Sequence, residues 1–190
     1  GGPGAGKTAV LEIAKRSLCE HIAVLPEAAS IVFGGGFPRK NSEESRRAAQ
    51  EVIFHVQKGL EKIAIEERLS AIALCDRGTV DGLAYWPGSE AEFWKMAGST
   101  REQEFSKYSA VIHLSSPLLS QGYNQRNPVR TETDVEAKRV DELLLKAWEG
   151  HPRHLVIESA DDFVAKAMKA VAAIQSQLPE CCRSHEWKMK

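Results

Sequence analysis

The sequence lacks a long apolar run, since none of its 190 residues lies in a stretch approaching the roughly 18 apolar residues of a membrane-spanning helix. It begins with glycines, whereas a secretory signal would begin with a basic segment followed by an apolar one. These absences exclude a membrane span and predict a cytoplasmic protein.

The sequence also lacks an excess of charge of either sign, because 25 lysines and arginines nearly balance 26 aspartates and glutamates and leave a net charge of -1. Proteins that coat nucleic acids or anionic membranes carry a marked positive excess. We therefore expect neither nucleic acid nor membrane as a partner, so any anion-binding site must be local.

Cysteine is scarce, and the four cysteines form no C-x-x-C pattern and lie beside no suitably spaced histidine pair. This spacing argues against a zinc site. Cys181 and Cys182 are interpreted as free thiols on a loose tail, with a redox pair as the alternative. Hydrophobic residues make up 43% of the chain, which is enough to bury a core without disulfides.

Short apolar runs alternate with helical patterns along the sequence. Four runs have the length of strands buried in a parallel sheet: residues 22–25, 71–75, 110–114 and 155–157. Helical patterns occur at 8–16, 43–68, 135–148 and 163–177, and a short helix is expected at 28–33; along 43–68 the apolar positions recur at three- and four-residue steps. This order predicts an α/β fold, a mainly parallel sheet with helices on both faces and with loop chemistry at the carboxyl ends of the strands.

Polar residues mark the predicted helix starts. Ser42 is suited to be the N-cap of the long helix 43–68. Thr131 and Asp134 have the spacing of a capping box, as do Ser159 and Asp162. These signals place helix starts close after residues 42, 131 and 159.

The first eight residues carry the strongest motif. They read Gly1-Gly2-Pro3-Gly4-Ala5-Gly6-Lys7-Thr8 and match the phosphate-binding pattern G-x-x-x-x-G-K-[ST] in full. Glycines permit the positive φ angles that turn N–H groups inward around a phosphate, and the following helix offers its positive N-terminus. Lys7 would bridge the β- and γ-phosphates of ATP, and Thr8 would bind Mg²⁺. The alternative, an ordinary glycine-rich helix cap, requires neither residue.

This motif normally follows a strand, yet here the chain begins at the first glycine. We expect that roughly five or six residues of a buried first strand, the central one of the sheet, have been lost by truncation. A protein without that strand would have a gap in its sheet.

Charged residues follow the second apolar run. Asp76 comes directly after it, where P-loop proteins place the acidic residue that holds Mg²⁺, although a helix cap is the alternative. Arg77 would direct a guanidinium into the same neighbourhood, suited to a phosphate or an acidic partner. Asp81 is expected to be solvated, with a further active-site carboxylate as the alternative.

Glu27 follows the first apolar run, so in a parallel sheet it emerges on the same edge as the glycine-rich loop. A carboxylate there could accept the proton of a hydroxyl nucleophile or hold the hydroxyl of an acceptor. The alternative is that Glu27 caps the helix at 28–33.

Three arginines surround the polar loop 124–131. Arg126, Arg130 and Arg139 could close over a transferring phosphoryl group and stabilise its spreading negative charge. The alternative is a solvated loop with incidental arginines. His113 is interpreted as a packing or edge residue and not as a ligand.

Residues 1–8, 25–29, 75–78 and 127–130 together resemble the AAA-like ATPase/kinase domain family that includes the kinase portion of NadR. The resemblance covers about residues 1–174, and the sequence is also similar to the wider nucleoside and thymidylate kinase group. The likeness implies a P-loop NTPase fold, a three-layer sandwich with its first strand apparently truncated.

The same resemblance implies a role for each candidate. Lys7 and Thr8 carry ATP-Mg²⁺, while Glu27 and Arg77 face the acceptor. The residues it assigns to a lid are Arg126 and Arg130.

Residues 1–178 are expected to form one domain, followed by a loose tail at 179–190.

The leading hypothesis is an enzyme that transfers the γ-phosphoryl group of ATP to a nucleoside, nucleotide or similar small acceptor. ATP is favoured over GTP because no Asn-Lys-x-Asp sequence occurs. The alternative is a nucleotide-dependent regulatory ATPase or switch without a small-molecule acceptor, and a homodimer through helix 43–68 stays open.

Overall fold

The structure, a computed structural model, describes residues 1–18, 21–67, 70–116, 134–159 and 162–180. The chain divides into two compact units, each described by itself below. The first unit comprises Gly1–Cys19 and Ser109–Lys190, and the second comprises Glu20–Tyr108.

The first unit is built around one pair of strands. Its elements are α1 (Lys7–Ser17), β3 (Val111–Leu114), α6 (Asp134–Ala147), β4 (His154–Ile157) and α7 (Phe163–Gln177). Strands β3 and β4 are parallel, with Val111 opposite His154. Helix α7 packs against α1 and against both strands, because its apolar stripe Ala167, Ala170, Val171 and Ile174 is buried.

The second unit holds the other strand pair and most of the helices. Its elements are β1 (Ile22–Leu25), α2 (Ala28–Gly34), α3 (Glu43–Glu66), β2 (Ile72–Cys75), a 3₁₀ helix (Thr79–Ala84), α4 (Glu90–Ala97) and α5 (Arg101–Phe105). Strands β1 and β2 are parallel, with Ile22 opposite Ile72. The long helix α3 contacts β1, α2, α4 and the 3₁₀ helix.

Aromatic rings fill the core of the second unit. The fully buried Phe93 meets Phe54 edge-on at a centroid distance of 5.9 Å and Trp86 at 5.7 Å. Because such edge-to-face pairs add to the hydrophobic gain of burial, this cluster holds α4 against α3.

The predicted strands and helices are largely confirmed. All four apolar runs are strands in parallel pairs, with bounds that differ by one residue at three of them. Ser42 is the N-cap of α3, since its side chain accepts the N–H of Ser45. The described residues thus form an α/β structure with short parallel sheets of two strands each.

The capping box predicted at Ser159 is wrong. Helix α7 has Asp162 as its N-cap, whose carboxylate accepts the N–H groups of Val164 and Ala165. Aspartate is among the strongest N-cap residues, so the helix begins immediately after it. The capping box predicted at Thr131 lies outside the described residues, as does most of the predicted tail, from residue 181 onward.

Between β2 and β3 the sequence predicted only that helical structure fills the gap. The structure resolves this stretch into three short helices, two of which begin with capping boxes at Ser89 and Thr100. Among the described residues no helix is both long and apolar enough to span a membrane.

Candidate functional site

The glycine-rich motif forms a turn that leads directly into α1. Gly4 and Gly6 have φ angles of 79° and 91°, and Gly6 is the N-cap residue of the helix. Backbone with such positive φ angles gathers successive N–H groups into an anion-binding hollow, and the helix N-terminus adds positive potential. The predicted phosphate-binding loop therefore has a backbone suited to phosphate.

At three glycines of the loop, an added Cβ atom would crowd neighbouring atoms. A Cβ atom on Gly2 would lie 2.6 Å from the Oγ atom of Ser116, and one on Gly6 would lie 2.5 Å from Cε2 of Phe163. A Cβ atom on Gly1 would overlap the carbonyl oxygen of Leu114. The loop is thus seated closely on the rest of the first unit, and its sequence must be glycine-rich for that reason as well as for its φ angles.

Lys7 reaches back over the loop that precedes it. Its Nζ atom donates to the carbonyl oxygens of Gly1 and Gly2 at 3.0 and 2.9 Å. The neighbouring Thr8 lies exposed in the first turn of α1. An ammonium group held at this place adds a positive charge to the N–H groups of the hollow.

Two side chains hold carbonyl groups of the loop from α7 and from the end of β3. Lys166 donates from Nζ to the carbonyl oxygen of Ala5 at 3.0 Å and to that of Ser115 at 2.5 Å. Ser116 donates from Oγ to the carbonyl oxygen of Pro3 at 3.3 Å. Lys166 is only 4% exposed, so its ammonium group is a buried charge bonded to the loop.

Asp141 of α6 ties the start of the loop to β3. Its carboxylate accepts the N–H of Gly2 at 2.5 Å and that of Ser116 at 3.0 Å, and it is 3.0 Å from Nε2 of His113. Burial by itself would raise the pKa of Asp141, but these hydrogen bonds outweigh it and lower the pKa to about 2. His113 is buried, as predicted, but it pairs with Asp141 in addition to packing.

The low pKa of Asp141 predicts acid sensitivity. A carboxyl group whose pKa is lowered in the folded state stabilises the fold at pH values above its ordinary pKa of 3.8. That contribution is lost as the pH falls toward about 2. We expect Asp141→Asn to remove about 2 kcal/mol from the free energy of unfolding at pH 7 and to flatten its pH dependence between about pH 4 and 2. Urea unfolding over this range measures both effects.

Exposed Glu142, the neighbour of Asp141 on α6, gives the matched control Glu142→Gln. The control is expected to keep the pH dependence of the unaltered chain. An unchanged pH profile in Asp141→Asn would contradict the assigned role.

Asp141 and Lys166 were not predicted from the sequence, although their positions carry a signal. Both stand in apolar helix stripes: Asp141 lies between buried Ala137 and Leu144, and Lys166 lies four residues before buried Ala170. A charged residue in such a stripe is buried only when it is paired or hydrogen-bonded. The pattern indicates an internal bond but not its partner.

In the second unit, the guanidinium of Arg77 brings together two carboxylates, those of Glu27 and Asp81. Its Nε atom donates to Oε1 of Glu27 at 2.8 Å, and its Nη1 atom donates to Oδ2 of Asp81 at 3.0 Å. Its guanidinium also lies 5.5 Å from the ring centroid of Tyr85. Burial alone would lower the pKa of Arg77, but Tyr85, Asp81 and Glu27 raise it, so Arg77 stays charged.

The expectation that Asp81 is solvated is wrong. Asp81 is 8% exposed, because the 3₁₀ helix turns its carboxylate onto Arg77 four residues earlier.

Glu27 stands at the N-cap position of α2 but makes no side-chain capping bond. Its Oε2 atom instead accepts the hydroxyl of Ser30 at 2.5 Å, so the carboxylate is oriented by Arg77 and Ser30.

A buried polar network anchors the segment that follows Arg77. The N–H of Thr79 donates to the hydroxyl of Tyr108 at 2.7 Å, and this hydroxyl donates to Oε1 of Glu61 at 2.7 Å. The hydroxyl of Thr79 donates to Oε2 of the buried Glu104 at 2.7 Å. Burial raises the pKa of Glu61, opposed by its hydrogen bonds. These bonds fix the start of the 3₁₀ helix and with it the position of Asp81.

The remaining candidates are placed as follows. Asp76 directly follows β2, and its backbone N–H donates to the carbonyl oxygen of Leu25 at 3.2 Å. Thr8 belongs to the first unit and Asp76 to the second. Arg139 is exposed on α6, whereas Arg126 and Arg130 lie outside the described residues.

The donors predicted for Mg²⁺ are chemically suitable. Thr8 and Asp76 offer the oxygen atoms that Mg²⁺ prefers, and this ion usually binds through one or two protein groups, phosphates and water. Within the described ranges no group of three or more His, Cys, Asp or Glu side chains could hold a metal ion.

Burial raises the pKa of Cys75 to about 12, with Glu61 and Asp81 adding to the effect, so its thiol stays protonated.

Comparison with known proteins gives one family. A family model described as an AAA domain matches residues 1–166, which is most of the chain. The match includes the glycine-rich loop, both strand pairs, Asp141 and Lys166. No curated protein and no solved structure gives a match.

Proposed function

Since this chain belongs to the AAA domain family, we propose that it is an ATP-dependent phosphotransferase that acts on a small hydroxyl-bearing acceptor. The family membership itself indicates a nucleotide-binding P-loop protein of the ATPase type. The transfer of a phosphoryl group to an acceptor goes beyond what the family membership indicates. The observation that supports this transfer is the Glu27–Arg77–Asp81 cluster of the second unit.

The first unit supplies the nucleotide site. The N–H groups of Gly4 and Gly6 and the ammonium group of Lys7 would bind the β- and γ-phosphates of ATP. To do so, Lys7 exchanges its bonds to the two loop carbonyls for bonds to phosphate oxygens. Thr8 of this unit would contribute a hydroxyl oxygen to Mg²⁺, whose charge would neutralise that of the phosphates.

Glu27 is the proposed general base. Its side chain is 30% exposed, and its carboxylate is held by Arg77, so a proton acceptor is presented with a fixed orientation. As the acceptor oxygen attacks the γ-phosphorus, its proton passes to Glu27 and the bond to the β,γ-bridging oxygen breaks. The products are a phosphorylated acceptor and ADP.

The charge around Glu27 favours an acceptor that carries no phosphate of its own. The guanidinium of Arg77 is already matched by the carboxylates of Glu27 and Asp81, and like charges close together are repelled. A phosphate monoester would add negative charge beside these carboxylates. A nucleoside or a comparable neutral or cationic alcohol therefore fits better than a nucleotide.

Glu27→Gln tests the acceptor chemistry. We expect acceptor-dependent turnover to fall by about 10²–10⁴, because the amide cannot take the proton. ADP affinity should change by less than about twofold, because Glu27 has no assigned role at the loop. Coupled ADP detection with a panel of nucleosides and nucleotides measures turnover, and calorimetry measures affinity.

Exposed Glu44, also in the second unit, offers the matched control Glu44→Gln. It is expected to behave as the unaltered chain does. If no compound of the panel stimulates ADP formation by the unaltered chain, the phosphotransferase proposal is rejected.

The AAA domain match favours a second candidate, a regulatory ATPase that binds a partner in one nucleotide state. This candidate predicts ATP hydrolysis that no acceptor stimulates. A pull-down with ATP compared with ADP would then retain a partner in one state only, whereas a phosphotransferase needs no such partner.

A further inference from the structure

We propose that Lys166 and Ser116 are positioning residues of the phosphate-binding loop, setting the direction in which two of its N–H groups point. The inference rests on the proposed nucleotide binding, but not on transfer to an acceptor. Neither residue belongs to the glycine-rich motif, and both act on the loop through carbonyl groups.

Peptide geometry links Lys166 to Gly6. In a planar trans peptide the C=O of one residue and the N–H of the next point in opposite directions, and the Ala5–Gly6 bond is trans. Lys166 bonds the carbonyl oxygen of Ala5 at 3.0 Å. Holding that oxygen toward α7 therefore directs the Gly6 N–H away from α7.

Ser116 has the same relation to Gly4. Its hydroxyl bonds the carbonyl oxygen of Pro3, which directs the N–H of Gly4 the opposite way. Asp141 in turn accepts the backbone N–H of Ser116 and that of Gly2. One carboxylate thus holds both the start of the loop and the residue that orients its third peptide.

The two oriented N–H groups belong to the two loop glycines with positive φ. Glycine loses more conformational freedom on folding than other residues, so the backbone at Gly4 and Gly6 needs external bonds to keep one orientation. Preorganised donors are worth more to a bound anion than donors that must first rotate into place. This is the effect we assign to Lys166 and Ser116.

The burial of Lys166 indicates that its charge has a specific role. A lysine residue that is 4% exposed costs free energy unless hydrogen bonds and charge compensate for its ammonium group. Both acceptors found for it are carbonyl oxygens, one in the loop and one at the end of β3. A purely apolar contact between α7 and the strands would not need the charge.

Lys166→Met removes the donor while keeping much of the side-chain volume. We expect the Kd for ADP to rise about tenfold or more, with a similar loss for inorganic pyrophosphate, because loop N–H groups must then be ordered on binding. Calorimetry well below the Tm measures both probes on folded protein. Exposed Lys169 on the same helix gives the matched control Lys169→Met, which is expected to leave both affinities unchanged.

Ser116→Ala provides a second test that is independent of the buried charge, with an expected rise in the ADP Kd of about threefold to tenfold. If Lys166→Met does not fold, Ser116→Ala decides alone. Unaltered ADP affinity in the folded variants, with a change in Tm only, would show that these residues serve stability and would overturn the inference.

The outcomes for the two proposals are distinct. ADP binding without acceptor-dependent turnover would reject the phosphotransferase and leave the positioning role to be judged on the variants. Failure of the unaltered chain to bind ADP or pyrophosphate would overturn both.

Discussion

Replacing Lys7 with methionine is expected to lower ATP turnover by roughly 10²–10³, the effect of removing one preorganised charge from a developing phosphoryl charge. Lys7 already lies at the loop, with Nζ within 3.0 Å of two of its carbonyl oxygens. Its bonds can therefore pass to phosphate without refolding of the loop. Steady-state ADP formation and ADP calorimetry measure the loss of turnover and of affinity.

Lys15→Met is the matched control, because Lys15 is an exposed lysine in the last turn of the same helix. It removes the same charge from α1 at the far end from the loop. Turnover and affinity in Lys15→Met should equal those of the unaltered chain. Full turnover in Lys7→Met would show that the glycine-rich motif is only a helix cap.

Arg77→Met is expected to have the largest effect on stability, lowering the free energy of unfolding by about 3–5 kcal/mol. Removing the guanidinium leaves Glu27 and the buried Asp81 without their shared counter-charge. A buried carboxylate in that state is costly. Urea unfolding of Arg77→Met and of the unaltered chain provides the measurement.

The Arg101–Glu90 pair supplies a comparison, since it is more exposed than the Arg77 cluster and Arg101→Met removes an ion pair in the same unit. Such pairs contribute at most about 1 kcal/mol. Adding Asp81→Asn to Arg77→Met should restore part of the lost stability, because one unpaired charge is removed. Equal losses in Arg77→Met and Arg101→Met would refute the view of a buried, mutually dependent cluster.

Periodicity predicted most elements well because they are either continuous apolar runs or long amphipathic helices. It could not resolve α4 and α5, since helices of 8 and 5 residues show too few turns for a pattern. Their capping boxes at Ser89 and Thr100 were the available signal. At α7 the spacing suggested Ser159, whereas the helix begins at the closer Asp162.

The candidate site likewise has one part that the sequence predicted and another that it did not. The glycine-rich loop is a local motif, so its eight residues and the helix after it could be read in order along the chain. The pairing of Glu27 with Arg77 was anticipated only as two residues at one sheet edge. The inclusion of Asp81 was not, because it depends on a 3₁₀ helix that short-range patterns did not reveal.

By itself, the order of residues determined what local geometry requires: glycines where φ is positive, a lysine and a threonine at a helix start, and apolar runs where strands pair. Only the tertiary structure decided which distant groups serve those local features. Asp141 and Lys166 lie more than a hundred residues from the loop they hold. Their partners in the loop are backbone groups, which every residue possesses, and so no pattern of side chains could have identified those partners.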